Sequence, residues 1–195
     1  KQNPEVIDFC VKYVVCGIES AENEEQLQLI INLCSSVIEY IDDPEQLNRI
    51  VLSAISYASV KKKMSTLKSS LSNIIFDVFK KNREVAEQHA PQICTLYLHF
   101  SPYKLLREDT RTGLDFVELL LSTAIETGDR AIVSMWRYNF VSFIQHAIKL
   151  KQTNEEKVEL YDELISVISQ TIEALGPEPV KKNKYDQLIE NCPED

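Results

Sequence analysis

The five cysteines and three histidines are the residues of this chain best suited to bind a metal ion or to act in nucleophilic catalysis. Structural zinc sites use such residues in close pairs, as in Cys-x-x-Cys. The chain has no pair of that kind, and His99 follows Cys94 by five residues, on a different face of one helix. We therefore predict no metal site and no cofactor. The residues are Cys10, Cys16, Cys34, Cys94, Cys192, His89, His99 and His146.

The cysteines also indicate a redox environment. Their number is odd, and four of the five lie inside apolar helical runs, where free cysteine behaves as a small hydrophobic residue. We predict reduced thiols and an intracellular location, either cytoplasmic or nuclear. Catalytic cysteine and histidine residues need not be adjacent in sequence. No cysteine here has a recognised catalytic context, however, so we expect no catalytic residues and no enzymatic activity.

Carboxylates and glycines give no catalytic pattern either. The acidic clusters at 22–25, 42–43 and 155–156 lie at predicted helix N-termini, where negative charge stabilises the helix. The four glycines are scattered singly, so they form no phosphate-binding loop.

Charge follows an acidic–basic–acidic order along the chain. Residues 1–60 contain three basic and ten acidic residues, residues 61–111 contain ten and five, and residues 112–195 contain eight and fifteen. The three net charges are −7, +5 and −7. We call the basic residues of the central segment, with one tyrosine, the basic belt. It consists of Lys61, Lys62, Lys63, Lys68, Lys80, Lys81, Arg83, Tyr103, Lys104, Arg107 and Arg111.

The basic belt has three interpretations. It could be a solvated face, because cations such as Lys80 and Lys81 stabilise a helix C-terminus in any case. We favour a docking surface for other proteins or for acidic peptide segments. RNA binding is the alternative, and it predicts an affinity that falls steeply with salt. Phe76 and Phe79 have the spacing of core residues, whereas Tyr103 is expected to be exposed.

Composition disfavours other partners. The net charge of −9 makes the whole chain a poor binder of nucleic acid or anionic membranes. No apolar run approaches the ~20 residues needed to cross a bilayer, so we predict no membrane insertion.

Helix start signals divide the chain into about eight helices. A capping residue precedes proline at Asn3, Asp43 and Ser101; residues 153–156 form a capping box, and Gly128-Asp129 joins a helix end to a new cap. Apolar residues recur every three or four positions between these signals, as in amphipathic helices. The predicted helices are 4–20, 24–42, 44–58, 60–81, 84–99, 102–126, 130–151 and 154–175.

The spacing of the starts indicates a repeat. Starts near residues 3, 43 and 82 are about forty residues apart, and each interval contains another start. This period and pairing resemble those of HEAT and armadillo repeats of ~40–47 residues. The resemblance covers residues 3–175 and implies an all-α fold, a right-handed α-solenoid of antiparallel helix pairs. An irregular closed helical bundle is the alternative.

The solenoid interpretation implies a function. Residues 1–176 would form the helical-repeat domain, and residues 177–195, with three prolines, a loosely ordered acidic tail. Stacked helix pairs present an extended surface that suits protein or peptide binding. We predict a protein-interaction scaffold or adaptor domain, belonging to a larger intracellular protein.

Some helices are too apolar to be exposed at the end of a stack. The terminal pair of a solenoid normally has a polar outer face. We therefore predict that the first helix contacts a larger assembly or self-associates. Helices 24–42 and 130–151 are apolar around most of their circumference, which predicts burial on all sides. Trp136 could be a core residue or an interface hot spot. The apolar residues of the first helix are Val6, Ile7, Phe9, Cys10, Val11, Val14, Val15 and Ile18.

Overall fold

The computed structural model describes residues 3–60, 65–96 and 110–174, and within these ranges every regular element is helical. The all-α prediction is confirmed. The described residues form nine α-helices and one turn of 3-10 helix, at Glu155–Lys157, rather than the eight helices expected. The α-helices are α1 Pro4–Ser20, α2 Glu24–Ile38, α3 Pro44–Val60, α4 Ser65–Lys81, α5 Arg83–Gln88, α6 Ala90–Thr95, α7 Thr110–Glu126, α8 Arg130–Lys151 and α9 Val158–Ala174.

Side-chain caps begin several helices where the sequence predicts them. The Oδ1 atoms of Asn3, Asp43 and Asp129 each accept a hydrogen bond from the backbone N–H two residues later, at 3.0, 2.9 and 2.8 Å. Each bond satisfies an N–H that has no partner within its helix. Gly128 has a φ of 63°, the left-handed conformation that commonly ends a helix. These caps fix the starts of α1, α3 and α8.

Two predicted helices differ in the structure. The predicted helix 84–99 is divided into α5 and α6 at His89. Pro91 explains the break, because proline donates no backbone hydrogen bond and clashes with the carbonyl four residues earlier. The predicted helix 154–175 begins with the 3-10 turn, and Asn154 makes no side-chain cap there. The predicted helix 102–126 is described from Thr110 onward, and the predicted tail 177–195 lies outside the described residues.

Contacts between helices follow the order of the chain. Helix α1 packs against α2 and α3; α2 packs against α4; α3 packs against α4 and α5. Helix α7 contacts α4, α6, α8 and α9, and α8 contacts α9. If α5 and α6 are taken as one interrupted helix, the described helices form successive pairs, α1–α2, α3–α4, α5/α6–α7 and α8–α9. Each of these pairs contacts the pair that follows it.

The buried residues form one continuous core from α1 to α9. At its centre, the ring centroid of Phe116 lies 4.8 Å from that of Phe79 and 5.4 Å from that of Phe76. All three rings are buried. Phe76 and Phe79 therefore pack in the core, as their spacing predicts.

Trp136 joins α8 to the end of α6. Its side chain is fully buried, and its indole N–H donates to the Cys94 carbonyl oxygen at 3.1 Å. The Cys94 thiol in turn contacts the Leu120 carbonyl of α7, with the sulfur and oxygen 3.6 Å apart. Trp136 is therefore a core residue rather than an exposed anchor.

Two helices were wrongly predicted to be buried on all sides. In α2, Leu29 and Leu33 are exposed, and in α8, Val141 and Ile148 are exposed. These positions lie on the side of each helix opposite its buried stripe. Helix α2 packs against α1 and α4, and α8 packs against α7 and α9, so one side of each helix stays exposed.

Candidate partner-binding surfaces

The structure shows the side chains of four residues of the basic belt: Lys80, Lys81, Arg83 and Arg111. Lys68 lies in α4, and its side chain is outside the described part of the molecule. The remaining belt residues lie outside the described residues altogether: Lys61, Lys62, Lys63, Tyr103, Lys104 and Arg107.

Lys80 and Lys81 end α4 and bind different carboxylates. The Lys80 ammonium lies 3.2 Å from Asp77 Oδ1 and 5.4 Å from the centroid of the Phe76 ring. The Lys81 ammonium donates to the Glu39 carbonyl oxygen at 3.0 Å and to Asp42 Oδ1 at 3.2 Å. Since both acceptors follow α2, Lys81 connects the C-terminal ends of α2 and α4.

Arg83 and Arg111 share the carboxylate of Asp115. Arg83 Nη1 lies 3.9 Å from Asp115 Oδ2, and Arg111 Nε lies 3.2 Å from Asp115 Oδ1. Arg111 Nη1 also donates to both oxygens of Glu163 in α9, at 2.9 Å each. Hydrogen bonds to Glu87 and Glu163 raise the pKa of Arg83 and of Arg111, respectively.

These contacts give the described part of the belt a structural role. Lys81 connects α4 to α2, Arg83 connects α5 to α7, and Arg111 connects α7 to α9. All of these pairs are at least partly exposed, so each contributes roughly 0–1 kcal/mol to folding. An acidic partner would have to compete with carboxylates that already neutralise these cations.

A second candidate surface lies on α1 and α2. Val6, Phe9 and Tyr13 occupy one face of α1, at spacings of three and four residues, and all three are exposed. Leu29 and Leu33 form an exposed strip along α2. Phe9 is 68% and Leu29 is 69% exposed, which is high for such large apolar side chains. We call these five residues the first-pair face.

A cleft of about 610 Å³ lies between the two helices near the turn that joins them, and two residues of the first-pair face, Tyr13 and Leu29, line it. Tyr13 and Leu29 line it on opposite sides, with Cys16, Gly17 and Ile30 between them. Gly17 allows the close approach of the helices, because a Cβ atom at this position would lie 2.7 Å from Cδ1 of Ile30. The floor of the cleft is therefore tightly packed, while its walls carry exposed apolar groups.

Acidic residues surround the first-pair face. Residues 3–43 contain nine acidic residues and one basic residue, Lys12. The Lys12 ammonium lies 2.6 Å from Asp8 Oδ2, so this cation is already neutralised. Glu22 lines the cleft, and Glu5 and Glu25 are exposed on the same two helices. The surface thus carries exposed apolar side chains, and Glu22 adds negative charge at the cleft.

The sequence identified this surface only in part. The exposed Val6 and Phe9 agree with the prediction that the first helix has an uncovered apolar face, whereas Val11, Val14 and Ile18 are buried. Tyr13, Gly17, Leu29 and Leu33 were not recognised as parts of a surface. The four-residue spacing of Leu29 and Leu33 was an available signal, but a lone helix pattern does not show which stripe meets a neighbour.

The described cysteines are free thiols. Cys34 and Cys94 are buried, Cys10 is half-buried and Cys16 is exposed. Burial raises the pKa of the Cys34 and Cys94 thiols to about 12, and Asp77 adds to the effect at Cys34. Among the described residues, no group of three or more His, Cys, Asp or Glu side chains is placed to hold a metal ion. His89 Nε2 instead contacts Asn48 Oδ1 of α3.

No described helix combines the length and the apolar character needed to cross a membrane. In comparisons with known proteins, no family model, no curated protein and no solved structure matches this chain.

Proposed function

We propose that this chain is a protein-interaction scaffold domain of an intracellular protein, built as a right-handed solenoid of helix pairs like HEAT and armadillo repeats. One observation carries the proposal: each helix pair contacts the pair that follows it, while large apolar groups stay exposed on the first pair. Such stacks use their extended surfaces to bind proteins and peptides. The proposed function requires no catalytic group and no cofactor.

The basic belt is the first proposed binding surface. Three of its described cations, Lys81, Arg83 and Arg111, connect neighbouring helices and so hold its shape. Lys61, Lys62 and Lys63 are proposed to contact the acidic partner segment. Charged groups at the edge of an interface chiefly increase the association rate and the specificity. The four free thiols support an intracellular location, because disulfides form in oxidising compartments.

RNA binding through the same belt is the alternative function. Lys80, Lys81, Arg83 and Arg111 each lie next to a carboxylate, which a phosphate would have to displace. Proteins that bind RNA mainly through phosphates show a steep loss of affinity with salt. An acidic protein segment would meet the same competition, so the preference for a protein partner rests on the net charge of −9, which disfavours nucleic acid.

Charge reversal tests the belt. The variant Lys61→Glu, Lys62→Glu, Lys63→Glu is compared with the unchanged chain in affinity purification followed by mass spectrometry. A control variant has the same change in net charge at Arg49, Lys149 and Lys157, which lie outside both the belt and the first-pair face. We expect specific partners to be lost from the belt variant and retained by the control.

Equal recovery of the same partners by all three chains would contradict the assignment of the belt. An RNA gel-shift titration at two salt concentrations tests the alternative function. Salt-sensitive RNA binding that the belt variant loses would support the alternative function instead.

A further inference from the structure

The first-pair face has the dimensions of a helix-binding groove. Val6 and Tyr13 are seven residues apart, which corresponds to about 10 Å along α1, or two helical turns. Leu29 lines the α2 side of the cleft, and Leu33, four residues further along α2, is also exposed. Because a short turn at 21–23 joins α1 to α2, the two helices are antiparallel neighbours, and a third helix can lie in the groove between them.

We propose that this face binds an amphipathic α-helix of a partner protein, with an apolar stripe flanked by lysine and arginine residues. The inference rests on the proposed scaffold function and names a second surface and the chemistry of its ligand. Apolar anchors at i, i+3 or i+4, and i+7 of such a helix would contact Phe9, Tyr13 and Leu29.

The acidic charge of the first helix pair indicates which residues should flank the apolar stripe of the partner helix. Segment 3–43 contains nine acidic residues and one basic residue; Lys12 pairs with Asp8, and Lys81 of α4 pairs with Asp42, so the remaining carboxylates leave the segment acidic. Glu22 lines the cleft and is placed to meet a cationic side chain, and Glu5 and Glu25 add exposed negative charge to the same two helices. A helix with acidic flanks would be repelled, because like charges across an interface reduce affinity.

The same charge argues against a second copy of the chain as the occupant. A two-fold symmetric dimer brings identical surfaces together. The acidic edges of two first-pair faces would then lie against each other. Self-association through the first helix would contradict the proposal, so the experiment must be able to detect it.

Fluorescence anisotropy with three labelled peptides tests the proposal on the full chain. The first is an amphipathic helix of about 18 residues with a leucine–phenylalanine stripe and Lys/Arg flanks, long enough to span the groove. The second has the same stripe with Glu flanks. The third has the composition of the first in scrambled order. We expect only the first peptide to bind in a saturable manner at about 0.15 M salt.

Matched substitutions locate the site. Phe9→Ser and Leu29→Ser should each weaken binding of the basic peptide at least about tenfold, since buried anchors dominate such interfaces. Ile148→Ser in α8 removes a comparably exposed apolar group outside the first-pair face and should leave the affinity unchanged. Glu22→Gln with Glu25→Gln should weaken binding roughly threefold and reduce its salt dependence. Circular dichroism checks that each variant is folded.

Four results would overturn the proposal. They are failure of the basic peptide to bind, equal binding of the scrambled or acidic peptide, unchanged affinity in Phe9→Ser and Leu29→Ser, and a concentration-dependent dimer in sedimentation that Phe9→Ser abolishes. The last result would identify a second copy as the occupant. The belt experiment changes different residues and detects different partners. The belt proposal and the first-pair-face proposal can therefore be contradicted independently of each other.

Discussion

The indole N–H of Trp136 donates a hydrogen bond to the carbonyl oxygen of Cys94 at 3.1 Å, in a fully buried position. Cys94 lies in the last turn of α6, where carbonyl groups have no partner within the helix. The bond therefore satisfies a helix end and connects the third helix pair to the fourth.

Removing this bond should destabilise the fold. Trp136→Phe keeps an aromatic side chain but leaves the Cys94 carbonyl without its donor, so we expect a loss of about 1–3 kcal/mol. Urea unfolding followed by far-ultraviolet circular dichroism measures it. The exposed Tyr13→Phe serves as control and should change stability by less than ~0.5 kcal/mol. Equal stability of Trp136→Phe and the unchanged chain would show that the bond has no structural role.

Gly17 and Ile30 should be energetically coupled. Alanine at position 17 gains roughly 1 kcal/mol of helix propensity but displaces the Ile30 side chain. We expect Gly17→Ala to be neutral or destabilising alone, and to be stabilising by about 0.5–1 kcal/mol in an Ile30→Ala background. A double-mutant cycle in urea measures the coupling. Additive effects would mean that α1 and α2 are not closely packed here.

Cys34 should make stability depend on alkaline pH. Burial, with a smaller contribution from Asp77, raises the pKa of this thiol from 9.0 to about 12. The unfolded thiol ionises first, so its contribution to stability is complete below pH 9 and is lost as the pH rises through 12.

The comparison with Cys34→Ala isolates this contribution. The stability difference between the two chains should shrink by about 1.4 kcal/mol from pH 8 to pH 10, as measured by urea unfolding. Ser36→Ala, at a neighbouring exposed position, should show a constant difference. If the difference in unfolding free energy between Cys34→Ala and the unchanged chain also stays constant with pH, this thiol is not buried.

The ion pair of Arg111 with Glu163 should contribute little to stability. Both side chains are about half exposed, so Arg111→Ala should cost no more than ~1 kcal/mol, and less in 1 M salt. Chemical unfolding at two salt concentrations checks this. A loss above ~2 kcal/mol would show that the belt is mainly a structural element, since exposed pairs do not reach that value.

Local signals in the sequence were sufficient for several of the helix starts. Asn3, Asp43 and Asp129 act as caps in the structure because capping needs only a side chain and a backbone N–H two residues away. The break at His89 was missed, although Pro91 was a visible signal for it. A proline inside a helical pattern outweighs the apolar periodicity on either side.

The surfaces depend on contacts between distant residues, and the sequence alone could not give them. Arg111 and Glu163 are 52 residues apart, and nothing in either segment marks them as a pair. Leu29 and Leu33 looked like core residues because the pattern of α2 is apolar on more than one side. Only the arrangement of neighbouring helices shows which stripe remains uncovered.

The central claim is that the helix pairs are stacked in chain order instead of being closed into a bundle. Spin labels at Asn32 of α2 and Ser166 of α9, both exposed, test it by pulsed electron–electron double resonance, with Cys10, Cys16 and Cys192 replaced by serine. Helices α4 and α7 lie between these two in the order of contacts, and packed helices are 8–10 Å apart. A stack predicts a label separation of about 25–30 Å. A distribution centred below about 15 Å would place α2 beside α9 and contradict the stacked arrangement.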